Sequence, residues 1–196
     1  MPSSAPRVVT SFSKPLPDET SWRALGIAVS ILRDPQAAAE LRRISALVQR
    51  YLRFGARSTH EVRAHLRRRG VAEPLIDRVI TACQRQRLLD DQACAKLLAT
   101  HYADKGYAWS AVSDRLRAKG FGTRLVSQAL QRLRASMDDE PRARVVARAF
   151  LQRRRAAAGP ALRIRLARAL AGRGFDSELI ARVLTETLGP LPESPE

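Results

Sequence analysis

The sequence contains few cysteines, few aromatic residues and no long apolar run. Cys83 and Cys94 are the only two cysteines, without nearby histidine pairs, so neither a disulfide framework nor a zinc site is expected. No apolar stretch approaches the roughly 18 residues that a membrane-spanning helix needs. The first residues also lack the charged and apolar segments of a signal peptide. We therefore expect a cytoplasmic protein in which both cysteines are small buried side chains.

Residues that favour β-structure are also scarce. The 196 residues include 31 Ala, 31 Arg and 24 Leu but only ten aromatic residues, so the apolar mass consists mainly of Ala and Leu. Ala, Leu and Arg are strong helix formers, whereas strands favour β-branched and aromatic side chains. This composition predicts an all-α fold and argues against a β-sandwich or an α/β nucleotide-binding enzyme.

Positive charge is concentrated in one part of the chain. The formal net charge is +16, yet residues 1–40 hold four basic and four acidic side chains, so the excess lies within residues 41–196. GC-rich coding raises Arg and Ala together, but it does not account for the net charge. The charge predicts an anionic partner: nucleic acid, an anionic membrane surface or an acidic protein.

One short pattern occurs three times. A leucine is followed four residues later by glycine and then by an apolar residue, at 66–71, 116–121 and 170–175. After each copy, apolar pairs recur at 75–76 and 79–80, at 125–126 and 129–130, and at 179–180 and 183–184. The three glycines, Gly70, Gly120 and Gly174, are 50 and 54 residues apart. The chain is therefore predicted to consist of tandem repeats.

The repeated glycine is typical of a helix end. Glycine adopts the left-handed conformation that closes a helix, and the next residue then packs against the residue four before the glycine. These pairs are Leu66–Val71, Leu116–Phe121 and Leu170–Phe175. Each repeat is thus predicted to contain a helix, a tight glycine turn and a second helix, with Phe121 and Phe175 buried.

A further helix precedes each of these pairs, which predicts three tandem three-helix repeats forming an elongated, curved array. The predicted segments are an N-terminal arm at 1–40 with a short helix at 22–33, repeats at 41–88, 89–136 and 137–188, and a tail at 189–196. The stretch 153–160 is expected to be a longer loop or a helix extension.

Two aspartate pairs are the strongest candidates for catalytic carboxylates. Asp90–Asp91 and Asp138–Asp139 could bind Mg²⁺, but each pair stands where a helix is predicted to begin, so Asp90 and Asp138 are expected to be helix caps. The three histidines lack the i,i+4 spacing of a helical metal pair, and the sequence has no phosphate-binding glycine loop. We expect no enzymatic activity, no metal and no cofactor.

Basic side chains recur near the repeated turns. Because stacked repeats place equivalent positions side by side, these residues are expected to form a surface that binds a filament or nucleic acid, mainly through phosphates. They are Arg67, Arg68, Arg69, Arg115, Arg117, Lys119, Arg153, Arg154, Arg155 and Arg173. For any single arginine, a solvated helix face is the alternative interpretation.

A helix-turn-helix that reads bases is a second hypothesis. The helix after Gly120 carries the polar residues that such a motif uses: Thr123, Arg124, Ser127, Gln128 and Arg132. Its counterpart in the first repeat opens with Glu73 and contains Asp77, which would repel phosphate. Base reading is thus expected of one repeat at most.

Three motifs together resemble the core of RecX regulatory proteins. Residues 51–58 (YLRFGARS) and 61–70 (EVRAHLRRRG) are similar to the "R..S..EL...L..KG" segment of that family, and residues 88–93 (LLDDQA) are similar to its "LDD..FA" segment. The resemblance covers roughly residues 40–188. The chain departs from the family pattern at Cys94, which takes the usual aromatic position, and in its long neutral arm.

This resemblance implies a non-enzymatic modulator of RecA. Such proteins lodge in the groove of the RecA–DNA filament and inhibit strand exchange, ATP hydrolysis and the coprotease activity that triggers the SOS response. The partners would be RecA, its filament and the DNA phosphate backbone, and the chain itself is expected to be a monomer. The alternatives are a DNA-binding protein that acts without RecA and an enzyme that depends on the aspartate pairs.

Overall fold

The computed structural model of the protein describes residues 35–153 and 160–190. Within these ranges the secondary structure consists of nine α-helices and no strand, which confirms the predicted all-α helical repeat. The helices are α1 (Pro35–Leu52), α2 (Thr59–Arg67), α3 (Glu73–Arg85), α4 (Asp91–Asp104), α5 (Trp109–Ala118), α6 (Thr123–Ser136), α7 (Asp139–Gln152), α8 (Pro160–Ala171) and α9 (Ser177–Leu188). The short helix expected at 22–33, Arg154, Arg155 and residues 191–196 lie outside the described residues.

The chain divides into two compact units, Met1–Cys94 and Ala95–Glu196, and the boundary falls inside α4. In the first unit, α2 packs against both α1 and α3. In the second unit, α5 packs against α6, and α7, α8 and α9 pack against one another. Helix α1 begins at Pro35 and buries Ala38, so residues 35–40 belong to the first repeat and not to the arm. Proline suits this position because the first helical N–H needs no partner within the helix.

The glycine turns have the predicted geometry. Gly70, Gly120 and Gly174 have φ angles of 74°, 83° and 82°, in the left-handed region that disfavours a Cβ. The backbone N–H of the residue after each glycine donates to the leucine carbonyl five residues earlier: 3.2 Å for Val71, 3.3 Å for Phe121 and 3.4 Å for Phe175. These bonds close each helix in the Schellman arrangement.

Apolar side chains next to these turns form the interior of each repeat. Phe121 and Phe175 are 4% and 5% exposed, which confirms their predicted burial. Cys83 and Cys94 are buried, as expected. Burial raises the pKa of the Cys83 thiol to about 11, so this side chain behaves as an apolar group at neutral pH.

An aspartate links the second repeat to the first within the first unit. Asp91, the first residue of α4, accepts a hydrogen bond of 2.8 Å from the backbone N–H of Thr59, the first residue of α2. Cys94, three residues further along α4, is 7% exposed. We call these three residues the Asp91 junction. Its aspartate caps a helix of the neighbouring repeat, because the first N–H groups of a helix have no partner within it.

The equivalent contact in the second unit contains a buried arginine. Asp139, the first residue of α7, accepts 3.0 and 3.2 Å hydrogen bonds from the N–H of Trp109, the first residue of α5. Arg142 is 5% exposed; it donates to the carbonyls of Ala103 (3.2 Å) and Tyr107, and its guanidinium lies 3.7 Å from the centroid of the Trp109 ring. We call these five residues the Asp139 junction.

The two junctions change the interpretation of the aspartate pairs. Asp90 caps its own helix, as predicted, by accepting a 2.9 Å bond from the N–H of Ala93. Asp138 is the N-cap residue of α7, as predicted, but its side chain makes no capping hydrogen bond there. Asp139 instead caps α5 of the preceding repeat, a contact that local spacing does not reveal.

Candidate nucleic-acid interface

Among the described residues, some of the arginines that precede the first glycine turn are paired with acids and others are not. Arg67 bonds to Glu73, and Arg63 pairs with both Glu73 (3.0 Å) and Asp77. Two acidic residues of α3 therefore offset the positive charges of Arg63 and Arg67. Arg67 was predicted to contact a partner, but the structure places it in an intramolecular ion pair. Not every member of an arginine triplet can point the same way, because successive residues turn by about 100° around a helix.

The other two arginines of the triplet join a group around His65. Burial is the first cause that lowers the pKa of His65, and the positive charges of Arg69, Arg68, Arg50 and Arg57 lower it further. Four guanidinium groups from the end of α1, the following loop and the end of α2 thus act on one ring. Arg50, Arg68 and Arg69 are exposed and Arg57 is half-buried. Arg57 lies 3.7 Å from the Glu61 carboxylate.

Aromatic residues lie within this basic group. The rings of Tyr51 and His65 stack with centroids 4.1 Å apart and an interplanar angle of 7°, and the Arg57 guanidinium lies 4.7 Å from the Tyr51 centroid. Phe54 follows directly after α1 and is 76% exposed. We call this group the His65 surface: Arg50, Tyr51, Phe54, Arg57, His65, Arg68 and Arg69.

The predicted residue set missed part of this surface. Arg50, Phe54 and Arg57 were not predicted as contacts, although Arg50 and Phe54 are four positions apart, a spacing that puts side chains on one helix face. His65 was expected to be an ordinary surface or partly buried histidine. The signal in the sequence was an aromatic residue between two arginines, at Arg53-Phe54 and Arg57.

The motif residues Ser58 and Glu61 fix the start of α2, the helix that carries His65. Ser58 is 1% exposed, and its hydroxyl accepts a 3.1 Å bond from the N–H of Glu61, while the Glu61 carboxylate accepts a 3.1 Å bond from the N–H of Ser58. This reciprocal capping box fixes the start of α2. Glu61 also lies 3.7 Å from Arg57, so the capping box connects the start of α2 with an arginine of the His65 surface.

Most predicted basic residues of the second repeat make internal contacts. Arg115 lies 3.7 Å from the centroid of the Tyr107 ring and donates to the carbonyl of Ala111 (3.2 Å). Arg117 pairs with Asp114 at 3.2 Å while remaining exposed. Lys119 is half-buried at the end of α5. This turn therefore exposes less unpaired positive charge than the His65 surface does.

Arg153 and Arg173 line a cleft of about 790 Å³ within the second unit. Its wall is apolar along α7, where Val145 is 60% exposed, and Asp104 and Lys105 also line it. Arg173 also donates to the carbonyl of Ala169 (3.0 Å), whereas Arg153 is exposed at the end of α7. The cleft thus combines positive charge with an apolar wall.

The polar face proposed for base reading is exposed on α6. Thr123, Arg124, Ser127, Gln128 and Arg132 are all solvent-accessible, and the first turn of α6 contains no acidic residue. In α3 the first turn contains Glu73, which is already bonded to two arginines. The structure is thus consistent with the expected difference between the two helices.

Within residues 35–153 and 160–190, no three His, Cys, Asp or Glu side chains come together as metal ligands. No helix among these residues has the length and apolar content needed to cross a bilayer.

Comparison with known proteins identifies the family. The model of the first three-helix domain of RecX matches residues 46–83, and that of the third three-helix domain matches residues 138–184. The regulatory protein RecX of Bacillus licheniformis is 28% identical over 139 residues, which cover 70% of this chain and 52% of that protein. The chain belongs to the RecX family. The RecX protein of Geobacillus kaustophilus is 28% identical over 169 residues, or 84% of this chain and 61% of that protein. The chain thus matches about half to three-fifths of the length of these RecX proteins.

Solved RecX structures share the fold. The crystal structure of RecX from Lactobacillus salivarius has a TM-score of 0.58 at 19% identity and covers 76% of this chain and 97% of that one. A second crystal structure, of a regulatory protein RecX, has a TM-score of 0.56 at 18% identity and covers 83% of this chain and 85% of that one. The three-helix repeat is therefore a property that this chain shares with RecX proteins.

Proposed function

We propose that this chain binds RecA and RecA–DNA filaments and inhibits their recombinase, ATPase and coprotease activities, thereby regulating DNA repair and the SOS response. Membership of a family of regulatory proteins supports a regulatory role. The proposal further places the protein in the cytoplasm, as a monomer without catalytic activity of its own. In this proposal its effect arises from occupying the filament.

The His65 surface carries the proposal. Arg50, Arg68 and Arg69 are exposed around one half-buried histidine, while the nearby acidic residues Glu73 and Asp77 are bonded to other arginines. In this proposal the filament presents DNA phosphates and acidic side chains, and both are attracted by exposed guanidinium groups. Arg153 and Arg173 provide a second basic region, within the second unit.

The test is RecA-catalysed ATP hydrolysis on single-stranded DNA, titrated with the full chain. We expect inhibition by the wild-type protein and weaker inhibition by the double variant Arg68→Glu/Arg69→Glu. Each phosphate contact that is lost should reduce the slope of log affinity against log salt by about 0.7 on a single strand and 0.9 on a duplex. Folding should be unaffected, because exposed charges contribute little to stability.

A matched charge control is available in the same chain. Arg78 and Arg148 are exposed outside the His65 surface, and Arg78→Glu/Arg148→Glu changes the net charge by the same amount. Equal loss of inhibition in both double variants would reduce the effect to net charge and contradict the proposed surface. Absence of inhibition by the wild-type protein would contradict the proposed function itself.

The alternative is a DNA-binding protein that acts through phosphates without RecA. The exposed polar face of α6 and the His65 surface both favour contact with nucleic acid. This alternative requires equal affinity for DNA with and without bound RecA, measured by co-sedimentation. Tighter binding to RecA-coated DNA than to bare DNA would support the filament modulator.

A further inference from the structure

We infer that the His65 surface binds single-stranded nucleic acid by stacking an unpaired base on Phe54, an inference that rests on the proposed contact between this surface and nucleic acid. The observation behind it is one exposed aromatic ring, Phe54, which lies between Arg50 and Arg57 in the chain and one helical turn after Tyr51, the residue that stacks on His65. A single exposed apolar side chain needs no explanation by itself. An exposed ring that is adjacent in the chain to several arginines provides the two components of a single-strand binding site, a stacking platform and a positively charged path.

The backbone holds Phe54 at a defined place. The N–H of Arg53 donates to the carbonyl of Gln49 (3.0 Å) and that of Gly55 donates to Leu52 (3.4 Å), so the helical turn continues through Phe54. Gly55 then takes a φ of 130°, which disfavours residues with a side chain and turns the backbone away. The ring is therefore presented at the end of α1 and not within a long loop.

The neighbouring side chains supply charge without covering this ring. Arg50 and Tyr51 precede Phe54 by one helical turn, which places them on the same face. The Tyr51 ring is engaged by His65 and Arg57, whereas Phe54 keeps 76% of its surface exposed. Tyr51 thus anchors the basic group, and Phe54 is the ring that can accept a base.

Base stacking distinguishes a single strand from a duplex. In a duplex the base faces are already stacked on one another, so a protein ring reaches them only after unpairing, whereas every base of a flexible single strand has a free face. Phosphate contacts from Arg50, Arg68 and Arg69 would be available to both forms. Phe54 is therefore expected to set the preference for single strands, and the arginines are expected to set overall affinity and salt dependence.

The experiment measures binding of the full chain to labelled oligo(dT), oligo(U) of equal length and a DNA duplex by fluorescence anisotropy. Phe54→Ala should weaken binding to oligo(dT) about tenfold, since stacking of one base contributes about 1–3 kcal/mol and tenfold corresponds to about 1.4 kcal/mol. Duplex affinity and salt slope should stay unchanged. Comparing oligo(U) with oligo(dT) shows whether the site prefers RNA or DNA.

Two further variants control this result. Phe54→Trp keeps an aromatic platform, so it should retain affinity, and its added fluorescence should be quenched by oligo(dT). Ile164→Ala removes an apolar side chain that is 52% exposed in the second unit and should change neither affinity. Melting temperatures of all variants should match that of the wild type, because neither side chain is buried.

Several outcomes would overturn the inference. The first is that the wild-type protein does not bind oligo(dT). The second is that Phe54→Ala weakens binding to single strands and to duplex equally, and the third is that Phe54→Ala binds both as tightly as the wild type does. A Phe54→Ala variant that no longer inhibits RecA but still binds oligo(dT) would show that Phe54 contacts protein, which would also refute the inference. Failure of the proposed function is separate: it appears as wild-type protein that leaves RecA ATP hydrolysis unchanged.

Discussion

In both junctions, an aspartate that opens the first helix of one repeat accepts a hydrogen bond from the first N–H of the second helix in the preceding repeat. The residue three positions after that aspartate is buried in both, but it is Cys94 in the first and Arg142 in the second. The same backbone contact is thus compatible with a small apolar side chain and with a charged one. The arginine differs in needing several partners, because an unpaired buried charge is costly.

The largest expected effect follows from truncating Arg142. Arg142→Ala should lower the free energy of unfolding by about 3–5 kcal/mol, because breaking a buried pair leaves its partners uncompensated. Those partners are the Asp139 carboxylate and the carbonyls of Ala103 and Tyr107. Cys94→Ala removes one buried sulfur atom and should cost about 1 kcal/mol. Urea unfolding of both variants measures the difference.

An exposed arginine on the same helix is the control for this comparison. Arg148 is exposed on α7, and Arg148→Ala should change stability by less than about 0.5 kcal/mol. A loss below about 1 kcal/mol for Arg142→Ala would show that its hydrogen bonds do not stabilise the Asp139 junction.

The glycine turns could be predicted from the sequence because their determinants are local. A leucine, a basic helix end, a glycine and an apolar residue lie within six positions, and the hydrogen bonds at Gly70 and Gly174 join the same residues that the pattern names. Arg142 could not be singled out in this way. Its carbonyl partners are 35 and 39 residues away, and in sequence it resembles any other arginine of a strongly basic chain.

The candidate site was predictable only in part for the same reason. The clustering of basic residues near the first turn was visible in the sequence, but the pairing of Arg67 with Glu73 depends on how α2 and α3 pack. The roles inferred for Phe54 and Arg57 depend on the stacking of Tyr51 on His65, which is a contact between α1 and α2. Contacts between helices, and not local propensity, separate structural arginines from exposed ones.

The second effect compares two glycines in equivalent turns. A Cβ at Gly174 would lie 2.6 Å from the Cβ of Ala111 in α5, whereas a Cβ at Gly70 would meet nothing within 4 Å. Gly70→Ala should cost about 1–2 kcal/mol from the left-handed conformation alone. Gly174→Ala should cost about 1–3 kcal/mol more, because overpacking adds to that strain. Equal losses in thermal unfolding would mean that α5 moves to make room for the added methyl group.

The third effect concerns the two aspartates at the start of α7, Asp138 and Asp139. Asp139→Ala should destabilise the protein by about 2–4 kcal/mol, because the N–H of Trp109 loses its acceptor, worth about 1 kcal/mol, and the buried Arg142 loses its charged partner, worth about 1.5–3 kcal/mol. Asp138→Ala should change the unfolding free energy by less than about 0.5 kcal/mol, since that side chain makes no capping bond. The reverse order of these losses in urea unfolding would restore Asp138 as the cap.

The smallest expected effect is the pH dependence of stability that arises from His65, which lies outside both junctions. Burial and the charges of Arg69, Arg68, Arg50 and Arg57 lower the pKa of His65, whose ring is also stacked on Tyr51. The folded protein therefore binds fewer protons than the unfolded chain near the usual histidine pKa of about 6.5, so its stability should fall as the pH drops through that range. Bound phosphates would offset the positive charges and raise this pKa, so binding of single-stranded DNA should tighten as the pH falls.

The neighbouring arginines allow a matched test of the charge around His65. Arg69→Gln removes the first of the four charges that act on the ring and should raise the pKa of His65, measured by NMR titration of its ring protons. Arg67→Gln removes an equal charge two residues away, but Arg67 is bonded to Glu73 and does not belong to the four charges that lower the pKa of His65. The increase should therefore be larger for Arg69→Gln than for Arg67→Gln. An unchanged His65 pKa in Arg69→Gln would place that guanidinium away from the ring and contradict the His65 surface as described.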